Sequence, residues 1–198
     1  WPTYYKKAKG IYLWTLDNRK LIDFSIMGIG TAVLGYANSV IDKKVKSAID
    51  NGINTTLNCI EEYELAKEIL KYNKFAHQVK FAKGGGEAMS MAIRIARSNS
   101  KKYKVVFSGY HGWHDWYISA NLTNKKNLNN HLLKNLKPLG VPKNLKNSII
   151  PLKFNDHVEL KKIFKNNKEA GILVIEGARN DYPSLKFVKT INELKSKK

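Results

Sequence analysis

The sequence predicts an α/β fold in which a mostly parallel sheet carries helices on both faces. Short apolar segments rich in β-branched residues recur along the second half of the chain, and amphipathic helical segments alternate with them. A hairpin pattern precedes this alternation near the N-terminus. The 198 residues are enough for one domain with a buried core, or for the larger part of one.

The N-terminal third predicts a β-hairpin and two helices. Residues 10–24 alternate apolar and polar side chains around a turn at Asp17-Asn18, which is typical of two antiparallel strands. Residues 39–51 and 60–72 place apolar side chains at helical spacing, so each segment is predicted to be an amphipathic helix.

The remainder predicts strands and helices in alternation. The strands are expected at residues 79–82, 103–107, 149–152 and 171–175. The helices are expected over residues 87–97, after a cap at Asn155 or Asp156, and from about Ser184. Residues 121–147 show no clear period and are predicted to run over the surface.

Three consecutive glycines, Gly84, Gly85 and Gly86, lie between the first of these strands and the helix that follows it. A helix N-terminus presents unpaired backbone N–H groups and the positive end of the helix dipole, which together favour an anion. Glycines also let a phosphate approach the backbone closely, because they have no Cβ. The glycines therefore predict a phosphate site, and a tight turn without a ligand is the alternative.

Two further groups of candidate residues follow predicted strands. Tyr110 and His111 follow the second strand, and Glu176 follows the fourth. Ligands bind beyond the carboxyl ends of parallel strands, so these side chains and the glycines are expected at one edge of the sheet. Tyr110 offers a flat face for a planar ring, and His111 a second face or a hydrogen bond. For each of these residues alone, a core or surface role is the alternative.

His111 and His114 are spaced in a way that could suit a metal, but no further ligand cluster accompanies them, so no metal site is expected. The lone cysteine, Cys59, excludes an internal disulfide and is interpreted as a packed residue in a reducing, cytoplasmic compartment. No apolar run approaches the length that spans a membrane.

The formal net charge of +19 comes almost entirely from lysines spread along the whole chain. Arginine is the residue favoured for bidentate phosphate and base contacts, and the chain has only four arginines: Arg19, Arg94, Arg97 and Arg179. A solvated lysine coat is therefore preferred to a dedicated nucleic-acid surface.

Several ordered motifs together resemble one enzyme family. They lie at residues 9–14, 22–24, 84–88, 92–97, 109–112 and 174–176. In this order they resemble the class III aminotransferases, which are fold-type I enzymes dependent on pyridoxal 5'-phosphate (PLP), and within them the glutamate-1-semialdehyde 2,1-aminomutase branch. The resemblance implies a hairpin and helix segment over residues 1–51 and a partial PLP-binding large domain over residues 52–198.

The resemblance also implies roles for the candidate residues. Gly85 and Gly86 would hold the cofactor phosphate through backbone N–H groups, with Gly84 beside them as a cofactor-binding residue. Tyr110 would stack on the pyridine ring with His111 nearby. Glu176 and Asn180 would lie at the ring's edge. The family implies a small-molecule amino donor, a carbonyl acceptor and a homodimer, with neither a membrane nor a nucleic acid as partner.

The resemblance places the family's catalytic aspartate and Schiff-base lysine beyond residue 198. No catalytic residue is therefore expected in this chain, which is interpreted as an N-terminal portion that cannot turn over alone. The alternatives are a non-catalytic basic module that binds a phosphate ligand or nucleic acid, and a degenerate remnant of the enzyme.

Overall fold

The protein is described from a computed structural model, which describes residues 4–131, 133–178 and 181–196. The chain forms two compact units, one ending at Val79 and the other beginning at Lys80. The division between residues 51 and 52 stays a prediction.

The first unit contains the predicted hairpin with one strand added. Strands β1 (Tyr5–Lys9), β2 (Tyr12–Thr15) and β3 (Lys20–Ile22) form an antiparallel sheet in the order β1-β2-β3. The turn is held by Thr15, whose carbonyl oxygen accepts the Asn18 N–H at 3.1 Å. The hairpin between β2 and β3 is thus confirmed, and β1 was not predicted.

Both predicted helices of the first unit are confirmed, as α1 (Ser39–Asp50) and α2 (Ile60–Tyr72). Asn38 caps α1, since its side-chain oxygen accepts the N–H groups of Val40 and Ile41 at 3.1 and 3.3 Å. Neither helix contains a buried residue.

The second unit contains a three-stranded parallel sheet. Its strands are β4 (Lys104–Ser108), β5 (Ile149–Pro151) and β6 (Ala170–Ile175), and β4 lies at the centre. Val106 of β4 is aligned with Ile150 on one side and Leu173 on the other. The α/β class and these three strands are confirmed.

The strand predicted at residues 79–82 is wrong, because these residues belong to no strand in the part of the chain that the structure describes. An alternating pattern indicates an extended backbone, but a strand also needs a neighbour to accept its hydrogen bonds. None of the described strands pairs with this segment.

Helices cover both faces of the parallel sheet. Phe107 of β4 packs on the face that meets α3 (Gly85–Ser100). Val106 points to the opposite face, as period-two alternation requires, and packs with α6 (His157–Asn166) and α7 (Leu185–Lys195). The sequence prediction of a two-faced sheet is therefore confirmed.

The predicted helix starts at Asp156 and Ser184 are also confirmed. The Asp156 carboxylate accepts the Glu159 N–H at 2.9 Å, and the Ser184 hydroxyl accepts the Phe187 N–H at 3.3 Å. Each side chain satisfies one backbone donor of the first helical turn.

The segment expected to run over the surface is partly buried. The short helices α4 (Asp115–Ile118) and α5 (Ala120–Thr123) lead into it, and its Leu128 is fully buried in the core on the α3 face of the sheet. The prediction was wrong because an isolated apolar residue such as Leu128 can be buried without belonging to a helix or strand pattern, and the sequence shows only such patterns. No helix in the described ranges is long and apolar enough to cross a membrane.

Candidate functional site

Ser108, the last residue of β4, contacts both Glu176 and His111. The carbonyl oxygen of Ser108 accepts the Glu176 N–H at 3.1 Å and lies 2.9 Å from Nε2 of His111. A carbonyl oxygen can only accept, so Nε2 of His111 carries the proton. Both lone pairs of this oxygen are thereby used, and His111 and Glu176 are tied to the end of the central strand.

The next residue, Gly109, is bonded on both sides of its backbone. Its N–H donates to Nδ1 of His131 at 3.1 Å, and its carbonyl oxygen accepts the Tyr117 hydroxyl at 2.8 Å. The same hydroxyl lies 3.3 Å from the His131 carbonyl oxygen. Nδ1 of His131 accepts a bond and is therefore unprotonated.

Glu176 lies directly against this loop. Its Oε2 accepts the Tyr110 N–H at 3.1 Å. Gly109 has φ +99°, and a Cβ at this position would lie 2.5 Å from Oε2 and 2.7 Å from Cγ of Glu176. Both the backbone conformation and the close approach require glycine. The carboxylate that ends an apolar strand thus has a hydrogen-bond donor, which offsets part of the cost of its partial burial.

Two buried imidazoles flank the loop. His111 and His131 are 7% and 6% exposed, and their rings lie 6.4 and 4.7 Å from the ring of Phe107. Burial lowers the pKa of both groups, and the proximity of His111 lowers the pKa of His131 further. The Glu176 carboxylate opposes the shift in both. Both rings are therefore neutral at pH 7, and the bond that Nδ1 of His131 accepts from Gly109 requires this of His131.

These shifts predict that the folded chain loses stability in mild acid. As the pH falls through the ordinary histidine value of 6.5, the unfolded chain takes up a proton on each imidazole before the folded chain does. The free energy of unfolding should then fall with pH, by at most about 1.4 kcal/mol per pH unit for each imidazole. Urea unfolding between pH 7.5 and 5.5 measures this slope. His131→Asn retains an acceptor but does not titrate, so it should reduce the slope; an unchanged slope would contradict the prediction.

The glycines form the start of α3. Gly84 precedes the helix, and the first helical bond runs from the Ala88 N–H to the Gly84 carbonyl oxygen at 3.0 Å. The N–H groups of Gly85, Gly86 and Glu87 precede this bond. No side-chain hydrogen bond caps this N-terminus within the described residues. A phosphate in front of the helix would meet donors and the positive end of the dipole.

The three glycines are not equivalent. A Cβ at Gly84 or Gly85 would meet nothing within 4 Å, so these positions border open space. A Cβ at Gly86 would lie 2.3 Å from the imidazole of His114. Gly86 is therefore needed for the packing of the following loop, whereas Gly85 leaves its backbone open to a ligand.

The structure brings most of the predicted site residues together. Gly84, Gly85, Gly86, Tyr110 and His111 line one cleft of about 780 Å³. Glu176 lines a neighbouring cleft of about 770 Å³, which shares Tyr110 with the first. Asn180 lies outside the described residues.

Sequence reasoning did not identify Tyr117 or His131 as partners of Gly109. Tyr117 lies in an aromatic segment of which any residue could have pointed inward, and His131 lies in the segment without a period. No local signal marks either residue as a partner of Gly109. In the part of the chain that the structure describes, no group of three or more metal-ligating side chains is placed to hold a metal.

Comparison with known proteins agrees with the motifs. The chain is 32% identical over 178 residues to the glutamate-1-semialdehyde 2,1-aminomutase of Sulfolobus acidocaldarius, and 36% identical over 180 residues to that of Nitrosopumilus maritimus. Each alignment covers 88% of this chain and 40% of the relative, so the chain spans about 40% of the length of these curated relatives.

A solved structure described as a transaminase with PLP bound has a similar fold. It superposes with a TM-score of 0.83 at 21% identity, covering 100% of this chain and 46% of that chain. The sequence model of the family described as "Aminotransferase class-III" matches residues 1–171. The chain therefore belongs to the class-III aminotransferase family.

Proposed function

We propose that this chain is the PLP-binding portion of a class III aminotransferase or aminomutase. The complete protein would move an amino group to or from a carbonyl compound, and this portion alone would not turn over. The observation that carries the proposal is the single cleft in which the start of α3, Tyr110 and His111 meet.

The residues of this cleft fit the cofactor's chemistry. The N–H groups at the start of α3 and the open space at Gly85 suit a phosphate. Lys83 lines the same cleft, as does Glu87, whose carboxylate accepts the Lys83 backbone N–H at 3.1 Å. The partly buried ring of Tyr110 offers an aromatic face for a pyridine ring.

Each residue of the site then has a distinct role. Gly85 and Gly86 hold the phosphate through the backbone, and Tyr110 stacks on the ring. Glu176, which is held by the Tyr110 N–H, places negative charge at the ring's edge, and Asn180 is proposed beside it. His111 donates its Nε2 proton to Ser108, which fixes its ring, and burial lowers its pKa and keeps the ring neutral. Bound PLP would supply the electron sink for bond breaking at the amino-bearing carbon.

Binding of pyridoxamine 5'-phosphate tests the proposal. This analogue has no aldehyde, so it cannot condense with the lysines that give the chain its +19 charge. We expect saturable binding, measured by ligand fluorescence, and weaker binding of pyridoxamine, which lacks the phosphate.

Gly85→Ala is expected to weaken binding of the phosphate ester by about tenfold, because the added Cβ holds the phosphate away from the backbone. Binding of pyridoxamine should change little. The thermal midpoint should not fall, since the position borders open space and alanine favours the helix. Equal affinities of wild type and variant for the phosphate ester would contradict the phosphate site.

The charge of +19 favours a second candidate, a basic module that binds nucleic acid. Binding of a DNA duplex that weakens steeply with salt, combined with no binding of pyridoxamine 5'-phosphate, would support this candidate over the first.

A further inference from the structure

We propose that Tyr117 and His131 are positioning residues that clamp the Gly109 backbone and thereby set the direction of Tyr110. This inference rests on the proposed function, which assigns the Tyr110 ring to the cofactor. The proposal gives residues 121–147, which show no helix or strand periodicity and contain His131, a role in the site.

The clamp holds both polar groups of one residue. His131 accepts the N–H of Gly109 at 3.1 Å, and Tyr117 donates to its carbonyl oxygen at 2.8 Å. Glycine has more backbone freedom than any other residue, and it stands here immediately before the residue to be oriented. Two fixed partners remove that freedom by holding the peptide groups on either side of its Cα.

Both partners are themselves buried. Tyr117 is fully buried and His131 is 6% exposed. The Tyr117 ring meets the rings of Phe107 and Tyr110 edge to face, at centroid distances of 5.1 and 6.1 Å. Tyr117 therefore contacts the Tyr110 side chain as well as the preceding peptide.

The position of His131 is set by a second polar contact nearby in sequence. The Asn121 side chain accepts the Leu128 N–H at 3.0 Å and donates to the Leu136 carbonyl oxygen at 2.8 Å. Asn121 and Leu128 are both buried. This bridge fixes the segment on both sides of His131, which explains how a chain without regular structure presents a ring at a defined place.

Beyond the clamp, the Tyr110 N–H is bonded to Glu176. Loss of the clamp should leave β4 intact, because Ser108 is held by its pairing with Ile175. It should remove both bonds to Gly109 and leave the bond from the Tyr110 N–H to Glu176, so that the direction of Tyr110 is fixed less firmly.

The test compares three variants of the full 198-residue chain. His131→Leu removes the acceptor, His131→Asn keeps an acceptor at a similar distance from the backbone, and Tyr117→Phe removes only the hydroxyl. Tyr103→Phe, at a half-exposed position, is the matched control. Hydrogen exchange of the Gly109 amide by NMR reports the clamp, and the affinity for pyridoxamine 5'-phosphate reports its consequence.

We expect His131→Leu to speed exchange of the Gly109 amide and to weaken binding of pyridoxamine 5'-phosphate by about tenfold, the loss of one buried hydrogen bond. His131→Asn should restore both values, and Tyr117→Phe should weaken binding several-fold. If His131→Leu fails to fold, Tyr117→Phe still decides, because its ring packing is retained.

Unchanged exchange at Gly109 in His131→Leu would overturn the clamp itself. Faster exchange with unchanged affinity would make the clamp purely structural and overturn its positioning role. If the wild-type chain does not bind the probe, the proposed function fails and the positioning role fails with it. Slow exchange at Gly109 in that case would still show the clamp as part of the fold.

Discussion

Gly109→Ala is expected to lower the free energy of unfolding by about 3 kcal/mol, the sum of two separate costs. Gly109 has φ +99°, which an alanine adopts only with strain of ~1–2 kcal/mol. The new methyl group would also lie 2.5 Å from Oε2 of Glu176. The carboxylate would have to move, and the Tyr110 N–H would lose its acceptor. Urea unfolding followed by circular dichroism measures the change.

Gly140→Ala is the matched control in the same compact unit. Gly140 has φ +81°, and a Cβ at this position would meet nothing within 4 Å. The substitution should therefore cost only the backbone strain, about 1–2 kcal/mol. The difference between the two variants isolates the contact with Glu176.

Glu176→Ala in the Gly109→Ala background provides a second check. Removing Cγ and the carboxylate deletes the two shortest contacts, so the double variant should be more stable than the sum of the two single changes predicts. Equal losses for Gly109→Ala and Gly140→Ala, with additive behaviour in the double variant, would contradict the close packing of Glu176 on Gly109.

The fold was predictable where a helix or strand shows the periodic spacing of apolar residues that its packing requires. The α2 helix begins and ends where the helical spacing predicted it, and β4, β5 and β6 match three apolar runs within about one residue. The strand predicted at residues 79–82 failed because pairing is a property of two segments and the sequence of one cannot supply it. β1 was missed for the opposite reason, since its polar sequence is extended by pairing with β2.

The site was predictable to the extent that it depends on topology. Parallel strands end at one edge, and this rule places Tyr110 and Glu176 within one hydrogen bond of each other although 66 residues separate them. The rule says nothing about what supports that edge. His131 reaches Gly109 by tertiary packing alone, and the division of labour between Gly85 and Gly86 depends on where the His114 ring lies.

Leu128→Ala is expected to lower the free energy of unfolding by about 3 kcal/mol, because it would leave a cavity in the core. The Leu128 side chain is fully buried on the α3 face of the sheet, and it is the apolar anchor three residues before His131. Its loss should also speed hydrogen exchange of the Gly109 amide, since His131 would no longer be held in place. Chemical unfolding and amide exchange measure the two effects on the same variant.

Leu139→Ala is the control within the same segment. Leu139 is 83% exposed, so its truncation should change the stability by less than about 0.5 kcal/mol and leave Gly109 protected. Similar small effects of both substitutions would mean that residues 121–147 lie loosely on the surface, as their lack of periodicity predicts. A large effect at Leu128 alone, with faster exchange at Gly109, would tie this segment to the candidate cofactor site through His131.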